Sequence, residues 1–168
     1  PSNAIYGTIE YATANPTTFI TSRDTNNEDW YYTGPSPIDN TRWAESSSPK
    51  AIYDPCPPGW RVPDGGDNGV WSTALGSPSS FEDQTLYNGY DSGSNLSGKF
   101  GSDQSIWYSA PGFLWYADAT RNVIGGLGFY WSASPNNKRA YCLNLGYGCF
   151  SPSASDSRAN GYSVRCIK

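Results

Sequence analysis

Histidine is absent from all 168 residues of this chain. It is the side chain whose ordinary pKa lies closest to neutral pH, and it serves most often as a general base and as a metal ligand. Its absence excludes Ser-His and Cys-His catalytic pairs and every metal site built on imidazole. The acidic residues are sparse and unclustered. We therefore expect no catalytic residues, no metal site and no cofactor, and we interpret the chain as a protein that is not an enzyme.

Charged residues are also scarce, at 15% of the chain, and they sum to a net charge of −4. Binding to nucleic acid requires a stripe of Lys and Arg that neutralises phosphates, and the sequence has none. An acidic chain is likewise not attracted to an anionic membrane surface. No hydrophobic run approaches the roughly 20 residues that cross a bilayer. We therefore expect neither a nucleic-acid partner nor membrane insertion.

Methionine is missing as well, whereas four cysteines are present. The chain begins at Pro1 and shows no signal peptide, so we expect a processed chain or an excised domain whose export signal has been removed. An acidic composition rich in Tyr, Trp, Asn and Gly indicates an exported protein, in which disulfides can form.

Aromatic side chains are abundant, at 15% of the chain, and so are the turn-forming residues, with 18 Gly and 13 Pro. This composition predicts a core built on Trp, Tyr and Phe and a chain with many turns. The length favours one domain. Short β-prone runs separated by long polar segments predict an α+β fold with small antiparallel sheets, one or two short helices and long ordered loops.

Local patterns predict some of these elements directly. Residues 5–14 are predicted as a first strand, and residues 69–75 as the clearest helix, with Asp67 as its N-cap. Residues 76–101 are dense in Ser, Gly, Asn and Asp and are predicted as loop. Residues 22–29 are rich in acidic and amide side chains, but they lack the turn glycine and the distal Glu of a calcium-binding loop. We interpret that segment as a solvated loop.

The C-terminal region, residues 128–168, differs in composition from the rest of the chain. Residues 129–131 and 162–167 have strand-like patterns, and a further strand is predicted at residues 140–145. The intervening residues are rich in Asn, Ser, Tyr, Gly and Ala, a mixture resembling that of antibody paratopes. Two interpretations stay open. Either a rigid frame presents a recognition face, or these residues only fill the loops between strands.

Three segments carry a resemblance to a known family. They are residues 53–63 (YDPCPPGWRVP), residues 128–134 (GFYWSAS) and residues 161–168 (GYSVRCIK). Together they resemble the signatures of the Fibrobacter succinogenes major paralogous domain family, a bacterial surface-domain family common in Bacteroidetes. That family is related to the C-type-lectin-like fold of the formylglycine-generating-enzyme subtype. The variable proteins of diversity-generating retroelements share this fold.

The resemblance implies one C-type-lectin-like, ligand-binding domain over residues 1–168, with residues 1–51 as an N-terminal part and residues 52–168 as the family-like core. It implies a non-enzymatic recognition or adhesion protein outside the cell, on a bacterial cell surface or a phage virion. Such a protein binds a protein or glycan on a cell or phage-host surface. In retroelement variable proteins, residues rewritten at adenine-containing codons share one exposed face.

Carried over to this chain, the resemblance implies ligand contacts between the frame segments, at Asn136, Asn137, Tyr141, Asn144, Tyr147, Phe150, Ser153, Asp156 and Asn160. Residues 113–116 are more hydrophobic than the family leads us to expect, and we interpret Trp115 and Tyr116 as further contacts. Tyr130 is also predicted as a ligand contact.

Two departures limit what the resemblance carries over. The Glu-Pro-Asn, Gln-Pro-Asp and Trp-Asn-Asp signatures of calcium-dependent sugar binding do not occur in this sequence, and nothing marks the reactive Cys pair of the formylglycine-generating enzyme.

Two alternatives to a recognition protein stay open. One is a structural cell-surface or pilus-associated module with no specific ligand, and the other is an enzyme related to the formylglycine-generating enzyme.

The four cysteines suggest two pairs. The fold implied by the resemblance places the first and last signature segments in one sheet, which would bring Cys56 to Cys166. Cys142 and Cys149 are symmetric about Leu145 and Gly146, so a tight hairpin there would place them opposite each other. The alternative for all four is a free buried thiol, which packs as a small hydrophobic side chain.

Overall fold

The computed structural model of this protein describes residues 8–21, 29, 39–75, 87–88, 93–96, 106–146 and 149–168. These residues form an α+β fold with small antiparallel sheets, as the sequence predicts. The two helices among them are α1 (Ile9–Ala14) and α2 (Val70–Leu75). The strands are β1 (Tyr87–Asn88), β2 (Gly93–Leu96), β3 (Ile106–Ser109), β4 (Phe113–Leu114), β5 (Arg121–Asn122), β6 (Leu127–Asn136), β7 (Arg139–Gly146) and β8 (Cys149–Ser157).

Helix α1 replaces the second half of the strand predicted at residues 5–14, and that prediction is wrong for residues 9–14. The Thr8 side chain accepts a hydrogen bond from the Tyr11 N–H at 3.1 Å, which makes Thr8 the N-cap, and Glu10 lies in the first turn. Both features stabilise a helix start, and the alanines that follow are strong helix formers. Residues 5–7 lie outside the described part of the chain.

Helix α2 confirms the helix predicted at residues 69–75, but not its cap. The Thr73 N–H donates to the Gly69 carbonyl at 2.9 Å, so the helix begins after Gly69 rather than at the predicted N-cap Asp67. A Cβ atom at Gly69 would lie 2.5 Å from the backbone of Gly65. Only glycine fits here, because the chain folds back on itself just before the helix.

The loop predicted at residues 76–101 contains two short strands. Strand β2 pairs with β1 on one side and with β3 on the other, where Leu96 lies opposite Ile106 and Gly93 opposite Ser109. The loop prediction is therefore wrong for these strand residues. Their Ser, Asn and Gly have little intrinsic preference for strands, so the pairing within the β1-β2-β3 sheet has to supply the stabilisation.

The largest described sheet has the order β6-β7-β8, with β7 in the middle. It confirms the strands predicted at residues 129–131 and 140–145. Successive residues of β6 pack into two different core clusters. Tyr130 joins Trp71, Tyr108, Leu143 and Leu145, whereas its neighbours Phe129 and Trp131 join Cys142 and Tyr162. Both faces of this sheet are therefore covered, and each buried large side chain contributes about 1.5–3 kcal/mol to stability.

The three signature segments meet at the irregular part of β6. Its register with β7 shifts between Trp131 and Pro135, and the Ala133 N–H donates instead to the Pro63 carbonyl at 2.8 Å. The Trp131 N–H donates to the Ser163 carbonyl at 2.9 Å. Residues 162–167 make only isolated bridges, which corrects the strand predicted there. The β6 backbone thus holds the other two signature segments together.

A disulfide joins Cys56 to Cys166, the pair expected from the resemblance. Their Cα atoms are 5.7 Å apart, and the bridge lies beside the Arg61–Ile167 backbone pairing. The expected pairing of Cys142 with Cys149 is wrong. The register places Cys142 opposite Ala154 and Cys149 opposite Gly146, because the hairpin is centred two residues later than the symmetric arrangement requires. Cys142 is a free, buried thiol.

We expect the Cys142 thiol to be almost inert in the native protein. Burial, and to a smaller extent the charge of Asp156, raise its pKa from 9.0 to about 12. At pH 8 its thiolate fraction is then about a thousandfold below that of an ordinary cysteine, and the thiolate is the reactive form. The measurement is the iodoacetamide alkylation rate in a Cys149→Ser background, with the denatured variant as the reference. Equal rates in the native and denatured variant would contradict the burial of Cys142.

Among the residues that the structure describes, no helix has the length and apolar character needed to cross a membrane.

Candidate ligand-binding surface

The residues predicted to contact a ligand do not form one exposed face. Trp115 and Asn137 are exposed, whereas Tyr130 and Asn160 are buried, at 5% and 7% exposure. Tyr147 lies outside the described residues. The others are half-buried, and they are Tyr116, Asn136, Tyr141, Asn144, Phe150, Ser153 and Asp156.

Tyr130 belongs to the core, which corrects its prediction as a ligand contact. Its ring packs edge-to-face on Tyr108 with the centroids 5.0 Å apart, and its hydroxyl donates to the Ser109 carbonyl at 2.8 Å. Burial raises the pKa of this phenol, so the group stays neutral. The strand period of two turns Tyr130 towards one core while its neighbours turn towards the other.

Phe150 and Tyr141 also pack internally. Phe150 lies against the cluster that contains Trp71, and the ring of Tyr141 lies over Gly66, where an added Cβ atom would be 3.2 Å from the ring. Each side chain keeps only part of its surface in solvent. Substitution of either residue would therefore disturb the fold as well as any binding surface.

Asp156 and Asn160 are joined to Tyr162 in an internal network. The Tyr162 hydroxyl donates to Asp156 Oδ2 at 2.5 Å, and Asn160 Nδ2 donates to the Tyr162 oxygen at 3.3 Å. The Tyr162 ring stacks on Trp131 and Phe129, with centroids 4.3 and 4.7 Å apart. Asp156 and Asn160 therefore stabilise the frame. This corrects Asn160 as a direct contact, because its side chain is buried.

Asn160 nevertheless positions the exposed loop that carries Trp115 and Tyr116, which we call the aromatic loop. Its Oδ1 accepts a hydrogen bond from the Tyr116 N–H at 3.2 Å. The next residue, Gly161, exchanges two backbone hydrogen bonds with Leu114, and an added Cβ atom there would lie 2.8 Å from the Phe19 ring. Trp115, which follows Leu114, is 42% exposed and packs edge-to-face on Tyr116. The exposed indole is thus carried on a loop with a fixed backbone.

Arg158 positions the β6–β7 turn in a similar way. Its guanidinium donates to the carbonyls of Asn137 and Arg139 at 2.9 and 3.0 Å. It also donates to the Asp39 carbonyl at 3.2 Å and to Asn40 Oδ1 at 2.5 Å. Asn137 has a φ of 53°, a left-handed conformation that asparagine tolerates better than most residues. The amide side chains at this turn are therefore held on a defined backbone.

The aromatic loop and the β6–β7 turn are anchored by two residues that are almost adjacent in the chain. Arg158 holds the turn and Asn160 holds the loop, and their Cα atoms are within about 8 Å because only one residue separates them. We define the recognition surface as Trp115, Tyr116, Asn136 and Asn137. Arg158 was missed in the sequence, since nothing in its local pattern distinguishes it from a solvated arginine.

A cavity of about 780 Å³ lies beside these anchors. Its walls come from α1 and the residues after it, from residues 39–55, from β6 and β7, and from the turn at residues 158–160. The space is partly open to solvent, so water or a ligand can occupy it.

The ionic groups on the cavity wall neutralise one another. Arg42 contacts Asp29 at 3.1 Å and Asp39 at 3.8 Å. Hydrogen bonds from the Thr41 hydroxyl and N–H lower the pKa of Asp39, so its carboxylate is charged at neutral pH. Among the described residues, Arg158 is the second guanidinium on the wall, so two guanidinium groups and two carboxylates line the cavity.

Within the described ranges, no group of three or more His, Cys, Asp or Glu side chains has the arrangement of a metal site. Comparison of this chain with protein-family models, with curated proteins and with solved structures finds no match.

Proposed function

We propose that this protein is a recognition domain with a C-type-lectin-like fold, exposed on a bacterial cell surface or a phage virion. It binds a protein or glycan through the recognition surface of Trp115, Tyr116, Asn136 and Asn137. The observation that carries this proposal is the exposed Trp115 on a loop whose backbone is fixed by Asn160 and Gly161. A large aromatic side chain on a rigid backbone binds with little loss of conformational entropy, and tryptophan is enriched among binding hot spots.

The fold assignment within this proposal is supported by how the signature segments meet. Arg61 pairs with Ile167, Tyr130 pairs with Ser163, and the Cys56–Cys166 disulfide closes the same region.

Diversification by a retroelement is part of the proposal. A reverse transcriptase gene and a near-identical template beside the gene would support it, and a neighbourhood without them would remove it.

We expect Trp115→Ala to weaken ligand binding by about 30-fold or more, which corresponds to roughly 2 kcal/mol for a hot-spot tryptophan. Trp60→Ala is the matched control, because Trp60 has almost the same exposure, 43%, but belongs to the Cys56 segment. The native protein and both variants are applied to a glycan array and to whole bacterial cells, after their melting temperatures have been compared.

The outcomes separate the alternatives. Loss of binding in Trp115→Ala alone supports the recognition surface, and the array distinguishes a sugar from a protein ligand. Equal losses in both variants would place the contact elsewhere. Absence of any binding by the native protein would favour a structural module of a surface assembly.

A further inference from the structure

The cavity beside the recognition surface has the properties of a second, separate binding site. Its volume of about 780 Å³ lies within the range of small-molecule sites, which is about 300–1,000 Å³. Aromatic side chains line it from three parts of the chain, namely Phe19 after α1, Trp43 in the following loop and Trp131 in β6. Small side chains, such as those of Ala12 and Ala140, also line the cavity and leave its space unfilled.

The charged side chains on the wall are already engaged within the protein. Arg42 is paired with Asp29 and Asp39, and Arg158 donates to backbone carbonyls and Asn40. Both ends of the Asn160 amide are also used, by the Tyr116 N–H and by the Tyr162 hydroxyl. A charged ligand would lose its hydration without gaining an uncompensated opposite charge, which is strongly unfavourable.

We propose that this cavity binds an uncharged, mainly apolar small molecule that contains a flat ring. Burial of apolar surface against Phe19, Trp43 and Trp131 provides the affinity, and the neutral ionic wall excludes anions and cations. This site is independent of the recognition surface, since none of the four residues of that surface lines it.

Two matched fluorescent probes test the proposal. N-phenyl-1-naphthylamine is uncharged, and 8-anilino-1-naphthalenesulfonate has the same ring system with one added sulfonate. We expect the uncharged probe to bind the native protein saturably at one site. We expect the sulfonate to bind at least about tenfold more weakly, because the described residues of the cavity wall offer it no unpaired cation.

Two variants that fill the cavity from different walls locate the probe. Ala140→Phe acts from β7 and Ala12→Phe from α1, and both are expected to weaken binding of the uncharged probe by at least about tenfold. Thr73→Phe is the control for adding the same ring on an exposed position of α2, which does not line the cavity. Both alanines are half-buried, but Ala140 packs against a core cluster and Ala12 belongs to none of the described clusters, so the second variant keeps the test valid if the first does not fold.

The proposal is overturned if the native protein binds no uncharged probe, if Ala12→Phe with a native circular dichroism spectrum binds it as the native protein does, or if both probes bind equally. Trp115→Ala is expected to bind the probe normally. The experiment therefore distinguishes a failure of the proposed ligand binding at the recognition surface from a failure of the proposed probe binding in the cavity.

Discussion

Replacing Cys56 and Cys166 together by alanine is expected to lower the free energy of unfolding by about 4 kcal/mol. The disulfide closes a loop over a sequence separation of 110 residues, and in the chain-entropy model such a long loop gains close to the largest stabilisation that one disulfide provides. The same bridge fixes the last signature segment to the first, beside Val62 and Ala133 in the third core cluster. A domain stabilised by about 5–15 kcal/mol would lose a large part of its stability.

The measurement is urea unfolding of the native protein and the double variant, each with and without a reductant. Cys142→Ala serves as the control, because it removes a buried thiol but no cross-link. A native protein whose unfolding midpoint is the same with and without reductant would contradict the prediction.

Replacing Tyr162 by alanine is expected to cost about 3–5 kcal/mol, as for other large aromatic residues truncated in a core. Its ring stacks on Trp131 and Phe129 and meets Phe113 edge-to-face at 5.4 Å. Tyr162→Phe keeps these ring contacts and removes only the hydroxyl. It is expected to cost about 1–2 kcal/mol, because the Asp156 carboxylate loses its hydrogen-bond donor.

The same tyrosine predicts a loss of stability at alkaline pH. Burial, and then the hydrogen bond and charge of Asp156, raise the pKa of Tyr162 above its ordinary value of 10.0. Because the folded protein favours the protonated phenol, the full stabilisation is present below pH 10 and decreases as the pH rises above it. Thermal unfolding between pH 8 and 11 should show a smaller decrease in Tyr162→Phe than in the native protein. Parallel curves would contradict a buried, neutral Tyr162.

Local patterns were sufficient to predict the elements with strong sequence signals. Helix α2 and strands β6 and β7 have clear periodicity, and the composition predicted an α+β fold with small sheets. Helix α1 was misassigned because Ile9 and Tyr11 also fit a strand, and only the Thr8 cap distinguishes the two. Strands β1 and β2 were missed because their stabilisation comes from pairing, of β1 with β2 and of β2 with β3.

The candidate site could be predicted only in part. The predicted ligand contacts include the exposed Trp115 and Asn137. They also include Tyr130 and Asn160, because the sequence alone does not reveal that the β6-β7-β8 sheet is covered on both faces. Arg158 and the cavity depend on contacts between segments up to 119 residues apart, which no local pattern records.

Composition sets which side chains this protein can use. It has no histidine, few charges and many aromatic residues, and this composition predicts an aromatic core. Which aromatic residues are exposed depends on the folded structure. Tyr130 and Trp115 have similar local sequences, yet one is covered by Tyr108 and the other projects from a loop tied to Asn160. The physical reason is that exposure depends on which distant segment packs against a side chain, and distant contacts form only when the whole chain has folded.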